Sequence, residues 1–165
     1  MTSRALAARV RRYHTWPVLH VQSVGEHSAR MGTIYVEMFG LPRAEVLYYI
    51  LHHDSGEFTA GDVPFPVKKN YPGMKLSLDA AEAWGRERMG VVMPDLADFE
   101  QHRVKVADLA EMHEYGVTEF GMGNRFAEPI VRDTWTTVHK LAHETLGPDD
   151  SRAVEYWMRD NGWEM

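Results

Sequence analysis

Apolar side chains recur along this chain every three or four residues, the period of helices that bury one face. Met31, Ile34, Tyr35 and Met38 show it first, and Val106, Leu109, Ala110, His113, Val117 and Phe120 repeat it over a longer stretch. Leu76, Ala80, Ala83 and Trp84 share one side of a helix predicted from Leu76 to Met89. Arg4 to His14 reads as a short first helix, capped by Thr2 or Ser3 and broken by Thr15-Trp16-Pro17. Glu26 opens the second helix; Gly40-Leu41-Pro42 ends it and starts a third, expected from Ala44 to Phe58. Gly61 to Pro72 is expected to be loop, because Pro64, Pro66 and Pro72 with Gly73 oppose regular structure. Helices are predicted again over Asp98–Gly121, Arg125–Leu146 and Asp149–Asn161, the last two parted by Gly147-Pro148. No run of alternating β-branched residues is long enough for a strand. The pattern predicts an all-α bundle of six or seven helices, in a single domain spanning residues 1–165.

Composition adds exclusions. With 165 residues and 44% hydrophobic content, a sizeable core is within reach. A formal charge of −6 gives no general attraction to nucleic acid or an anionic membrane, so any basic site must be local. The absence of cysteine rules out disulfides and thiolate metal sites, which leaves histidine and carboxylate as side-chain ligands. The first fourteen residues are polar and arginine-rich, without the apolar segment of a secretory signal. Nor does any apolar run approach the ~18 residues of a membrane span. A soluble protein of the cytoplasm is the expectation.

The chemistry concentrates in His52-His53-Asp54-Ser55-Gly56-Glu57-Phe58-Thr59-Ala60-Gly61-Asp62-Val63-Pro64, directly after the apolar run Val46 to Leu51. Two imidazoles and three carboxylates in thirteen positions are costly to place beside a core, and a bound cation would settle them. If Ala44 to Phe58 is helical, His53 and Glu57 share a face, with Asp54 adjacent. His27 begins an apolar helix face and Asp108 interrupts another, and each alone would most often be structural, a hydrogen-bonded core histidine or a buried capping aspartate. Taken together, His27, His53-Asp54 and Asp108 form a mixed nitrogen and oxygen set on three helices, suited to a divalent transition metal with room for water. Zn²⁺, Co²⁺, Mn²⁺, Ni²⁺ and Fe²⁺ all fit such donors. Arg12, Lys68 and Lys69 are the nearest basic groups in sequence, and Arg12 and Lys68 are candidate phosphate clamps. His139 and His143 read as a solvated helix face, His113 as a core or interface histidine, and His52 as pointing away from the metal.

In order along the chain, Trp16-Pro17, Val24-Gly25-Glu26-His27-Ser28, His53-Asp54-x-x-Glu57, Gly61-Asp62-Val63-Pro64-x-Pro66-Val67-Lys68 and Val104-Lys105-Val106-Ala107-Asp108 resemble the motifs of HD-domain metal-dependent phosphohydrolases. The likeness runs over residues 12 to 125 and points to the branch that acts on deoxynucleotides. It implies an HD-domain helical bundle in which His27, His53, Asp54 and Asp108 hold the metal. It further implies that Glu57 handles the proton of the water or leaving group, that Asp62 assists near the sugar or a second cation, and that Trp16 packs on the sugar. Base choice would rest on the loop from Trp16 to Gln22 and on Val63-Pro64. Small proteins of this branch assemble, so a homo-oligomer is implied.

Two branches compete. Cellular 5′-deoxynucleotidases share the Gly61 to Lys68 segment but carry an arginine directly before the tryptophan, where this chain has Thr15. The eleven-residue step from Trp16 to His27 is similar to compact phage-type HD proteins, among them dATP triphosphohydrolases of phages that replace adenine with diaminopurine. The expectation is therefore a dATP triphosphohydrolase, with Mg²⁺ on the β and γ phosphates as a further cation. A 5′-deoxynucleotidase is the alternative, and an inactive nucleotide-binding regulatory module the alternative of another class.

Overall fold

A computed structural model describes residues 3–64, 68 and 70–161. Seven α-helices are found among the described residues: α1 (Ser3–Ala7), α2 (Val24–Phe39), α3 (Ala44–His52), α4 (Pro72–Arg88), α5 (Asp98–Gly121), α6 (Glu128–Thr145) and α7 (Pro148–Asn161). The helical segments pack as an all-α bundle whose centre is the long α5, paired along its length with α6 and crossed by α2. α3 and α7 flank α2, and α4 lies against a short 3₁₀ turn, Ser55–Phe58. No helix of the described residues is long and apolar enough to cross a membrane.

The core is built from the predicted stripes. Met31, Ile34, Tyr35 and Met38 of α2 meet Val46 and Ile50 of α3, Val106 and Ala110 of α5, Val138 of α6, and Val154 and Met158 of α7. Each fully buried aliphatic side chain there contributes about 1.5–3 kcal/mol through removal from water. The start of α2 is set by a capping box, in which Ser23 accepts from the Glu26 N–H and the Glu26 carboxylate takes the Ser23 N–H in return. That box begins the helix two residues before the predicted Glu26.

Several expectations need correction. α1 stops at Ala7 instead of reaching His14, because the following residues pair with the segment ahead of α2. The Arg12 N–H donates to the Gln22 carbonyl at 2.8 Å, and the Val24 N–H to Val10 at 2.9 Å. Ser3 is already helical, so it is not the cap, and Thr2 lies outside the described residues. α3 ends at His52, and Glu57 stands on the 3₁₀ turn that follows. In a continued helix the His53 carbonyl would receive the Glu57 N–H. Here Glu57 donates to Asp54 at 3.0 Å, Arg86 Nη1 takes the His53 carbonyl at 3.1 Å, and the Ser55 hydroxyl occupies the His52 carbonyl at 2.7 Å.

Within the expected Gly61–Pro72 loop, Lys68 and Asn70 are helical, while Phe65, Pro66, Val67 and Lys69 lie outside the described residues. Pro72 opens α4 at the first turn, where a missing N–H costs nothing. The apolar side of α4 is exposed, with Leu76 at 73% and Trp84 at 52%. Instead α4 packs through Glu82 and Gly85. A Cβ at Gly56 would stand 2.4 Å from the Glu82 carbonyl oxygen, and one at Gly85 would stand 2.1 Å from Thr59 Oγ1. Two glycines let the helix close on the turn that carries Glu57.

Candidate functional site

α2, the end of α3 and the middle of α5 converge on one point. His27 is fully buried on α2, and its Nε2 faces Asp108 Oδ1 at 3.4 Å and Asp54 Oδ2 at 3.5 Å. His53 Nε2 stands 3.3 Å from Asp54 Oδ1. One ligand atom each from His27, His53 and Asp108 lies within 4.8 Å of the others, and Asp54 bridges the two imidazoles. The structure therefore brings together all four residues of the sequence-derived set.

The tautomers are fixed from behind. His27 Nδ1–H donates to Glu111 Oε2 at 2.6 Å, and His53 Nδ1–H donates to the Ile50 carbonyl at 2.8 Å. Both Nε2 atoms are left buried with no hydrogen bond, so that each, when unprotonated, turns a lone pair toward the carboxylates. Two lone pairs facing two carboxylates repel unless a positive charge lies between them. Burial by itself would push the His27 imidazole down in pKa, yet the carboxylates of Asp108 and Glu111 outweigh it and raise it to about 9. Burial opposes ionisation of Asp54 and Asp108 too, but the nearby histidines hold both carboxyls below the usual range, and Lys105 adds to this at Asp108. The cluster calls for a cation, and the spacing accommodates one. Donors bound at about 2.1 Å to one tetrahedral ion stand about 3.4 Å apart.

Glu57 is almost fully buried beside this cluster, and its Oε2 has no hydrogen-bond partner. Burial first, then the charges of Asp54 and Asp62, push its carboxyl up to about 8. Lys68 Nζ lies 3.6 Å from Glu57 Oε1 and 3.7 Å from Glu82 Oε1. Asp62 accepts the Tyr13 N–H at 3.1 Å, joining the loop after Glu57 to the loop before α2. Arg12 is buried, its Nη1 shared between Gln22 Oε1 at 3.1 Å and Glu111 Oε2 at 3.2 Å, so the guanidinium lies behind His27. Trp16 is 41% exposed, its Nε1 donating to the Phe126 carbonyl at 3.2 Å. Pro64 is half-buried.

The sequence reading misses Glu111, although it orients His27 and neutralises Arg12. The available signal is a row of polar residues four apart on α5: Glu111, Tyr115 and Glu119. The row fastens the Trp16 loop. Glu119 accepts the N–H groups of Leu19 and His20 at 2.8 and 2.6 Å, and the Tyr115 hydroxyl donates to the His20 carbonyl. Tyr115 also stacks on Tyr13 with ring centroids 4.5 Å apart, and Asn124 donates to the Pro17 carbonyl at 2.8 Å.

The other histidines lie elsewhere. His52 rests on Tyr48, outside the cluster. His113 is fully buried between α5 and α6, its Nδ1–H donating to Thr134 Oγ1 at 3.0 Å. His143 is exposed as expected and pairs with Glu155 at 3.0 Å, whereas His139 is half-buried against Trp135, so the pair is not a uniformly solvated face.

No protein-family model matches the sequence, and no curated protein does. Among solved structures the chain is similar to the cyanophage S-2L HD phosphohydrolase DatZ, bound to dA and one catalytic Zn²⁺ ion. The likeness has a TM-score of 0.75 at 19% identity and covers 96% of this chain and 93% of that one. The chain has the HD-phosphohydrolase fold.

Proposed function

We propose that this protein is a divalent-metal-dependent phosphohydrolase of deoxynucleotides, and that its substrate is dATP, cleaved to deoxyadenosine and triphosphate. The observation that carries the reading is the pair of buried, unpartnered imidazole nitrogens of His27 and His53 set against the carboxylates of Asp54 and Asp108. These four residues would hold the metal. When bound, a divalent ion supplies Lewis acidity toward a phosphoryl oxygen and lowers the pKa of water.

The remaining residues divide the work. Glu111 keeps His27 in the Nδ1–H tautomer, so that Nε2 is available as a donor. Glu57, buried and ionising near neutrality, can take a proton from the attacking water or give one to the departing 5′ oxygen. Lys68, 3.6 Å from Glu57, offers its ammonium to the phosphate chain, whereas Arg12 is buried and paired with Glu111 and Gln22 behind His27. Asp62 fixes the loop between Tyr13 and Trp16 through the Tyr13 N–H. Trp16, held by Phe126, would lie against the sugar and leave no room for a 2′-hydroxyl, and Pro64 would border the base.

The test is to strip the metal, then supply dATP, dAMP, dGTP and ATP separately while restoring Zn²⁺, Co²⁺, Mn²⁺ or Mg²⁺. Deoxyadenosine and intact triphosphate from dATP, with little from dAMP or ATP, is the expected outcome. Orthophosphate from dAMP alone would make the protein a 5′-deoxynucleotidase. Metal binding without turnover of any substrate would leave a nucleotide-binding regulatory module.

A further inference from the structure

A second basic feature lies on the far side of Gln22 from the metal-ligand cluster. A surface cavity of about 320 Å³ is lined by Ala8, Arg9, Arg11, Val21, Gln22 and Ser23. It is formed where the chain after α1 pairs with the residues ahead of α2, through the Arg11–Ser23 bridge. Its volume lies at the lower end of the range for small-molecule sites.

The two arginines are set apart by a census of the cations. Every other described arginine and lysine has a carboxylate, a carbonyl or an aromatic ring as partner. Arg9 and Arg11 have none among the described residues. In a chain of net charge −6, two neighbouring guanidiniums left open on one cavity are not explained by folding. Each guanidinium can take two phosphate oxygens in a bidentate fork, so the pair matches successive phosphoryl groups of a phosphate chain. Glu26, the nearby carboxylate, is engaged: it takes the Ser23 N–H at 2.7 Å and the Ser23 hydroxyl at 2.8 Å, and lies 3.7 Å from His20.

Gln22 connects this cavity to the interior. It lines the cavity, yet its side chain is buried, with Oε1 on Arg12 and Nε2 on Glu111, whose other oxygen holds His27. We propose that the Arg9–Arg11 cavity is a second anion site, taking the phosphate chain of a nucleotide or free triphosphate, and that its occupancy is felt at His27 through Gln22 and Glu111. The coupling half rests on the role proposed for His27, whereas the binding half stands without it.

Calorimetric titration of metal-free protein with sodium triphosphate at low salt tests the site apart from any turnover. A binding step retained in Lys68→Gln and weakened at least tenfold in the Arg9→Gln/Arg11→Gln variant is expected, with dATP matching triphosphate. Because both arginines are exposed and unpartnered, that variant keeps the wild-type melting temperature. Superimposable isotherms for wild type and the arginine variant would overturn the site. Equal affinity for orthophosphate, or for deoxyadenosine, would overturn its assignment to a phosphate chain. For the coupling, the imidazole nitrogen resonances of His27 should shift on adding triphosphate to Lys68→Gln but not to the arginine variant. If they stay fixed in both, the two sites are independent and the coupling is wrong.

Discussion

His27 and His113 are both fully buried, and both leave Nε2 without a hydrogen bond, yet their surroundings drive them in opposite directions. His27 faces Asp54, Asp108 and Glu111, and the carboxylates of Asp108 and Glu111 raise its pKa to about 9 despite burial. His113 sits between α5 and α6 beside Trp135 and Thr134, where burial lowers it to about 4. The first environment demands positive charge and the second expels it. A buried, unpartnered histidine therefore points to a ligand only when carboxylates surround it, and that distinction separates the site from the core.

The comparison breaks most sharply at Asp54. In Asp54→Asn, metal affinity should fall by more than the ~10–100-fold typical of outer-sphere changes, and hydrolysis should fall with it. Metal content by mass spectrometry and product release report the two losses. Because the nearby histidines favour the ionised Asp54 carboxylate, the metal-free variant should melt slightly below the metal-free wild type. A large drop in melting temperature would instead assign Asp54 to stability. Glu57→Gln comes next: a decrease of roughly 10²–10⁴-fold in kcat with metal content retained, read by steady-state kinetics alongside metal analysis.

Metal itself should sharpen the contrast. At a concentration one hundred times Kd, a ligand of the folded state adds about 2.7 kcal/mol, or roughly 5–10 °C in Tm for a chain of this size. Wild type should show that rise and lose it on chelation, and His113→Leu should show the same rise. An effect of similar size concerns pH. Because the folded pKa of His113 is about 4, below its ordinary 6.5, its contribution is present above pH 6.5 and is lost as pH falls toward 4. At 1.36 kcal/mol per unit the loss is on the order of 3 kcal/mol, and His113→Leu should flatten the stability profile over that window in denaturant titrations. An unchanged slope would mean that His113 is not held neutral.

Much of this was legible in the chain itself. The pattern predicts α5 from Asp98 to Gly121, which is where it lies, and it predicts Met31, Ile34, Tyr35 and Met38 among the inward residues of α2. Both follow from local periodicity over long elements. The meeting of His27, His53, Asp54 and Asp108 follows from ordered motifs that no single helix contains. What escapes the sequence depends on distant partners. α1 is short because residues 10–12 pair with 22–24, and α3 ends early because Arg86, thirty-three residues on, takes the His53 carbonyl. Glu111 looks like any helical glutamate until Arg12, ninety-nine residues away, is placed against it. The exposed apolar side of α4 has the same origin: its partner surface is polar and was reached through glycine, not through the apolar stripe.

The loop carrying Trp16 is clamped by Tyr115, Glu119 and Asn124 through at least four described hydrogen bonds. A wall fastened this way does not have to condense around an arriving molecule. The conformational freedom that a floppy loop would surrender on each encounter, about 1–2 kcal/mol for every residue ordered, is already surrendered when the chain folds. With Trp16 in its proposed place against the sugar, association at that wall should be governed by diffusion and orientation, not by a slow closing step.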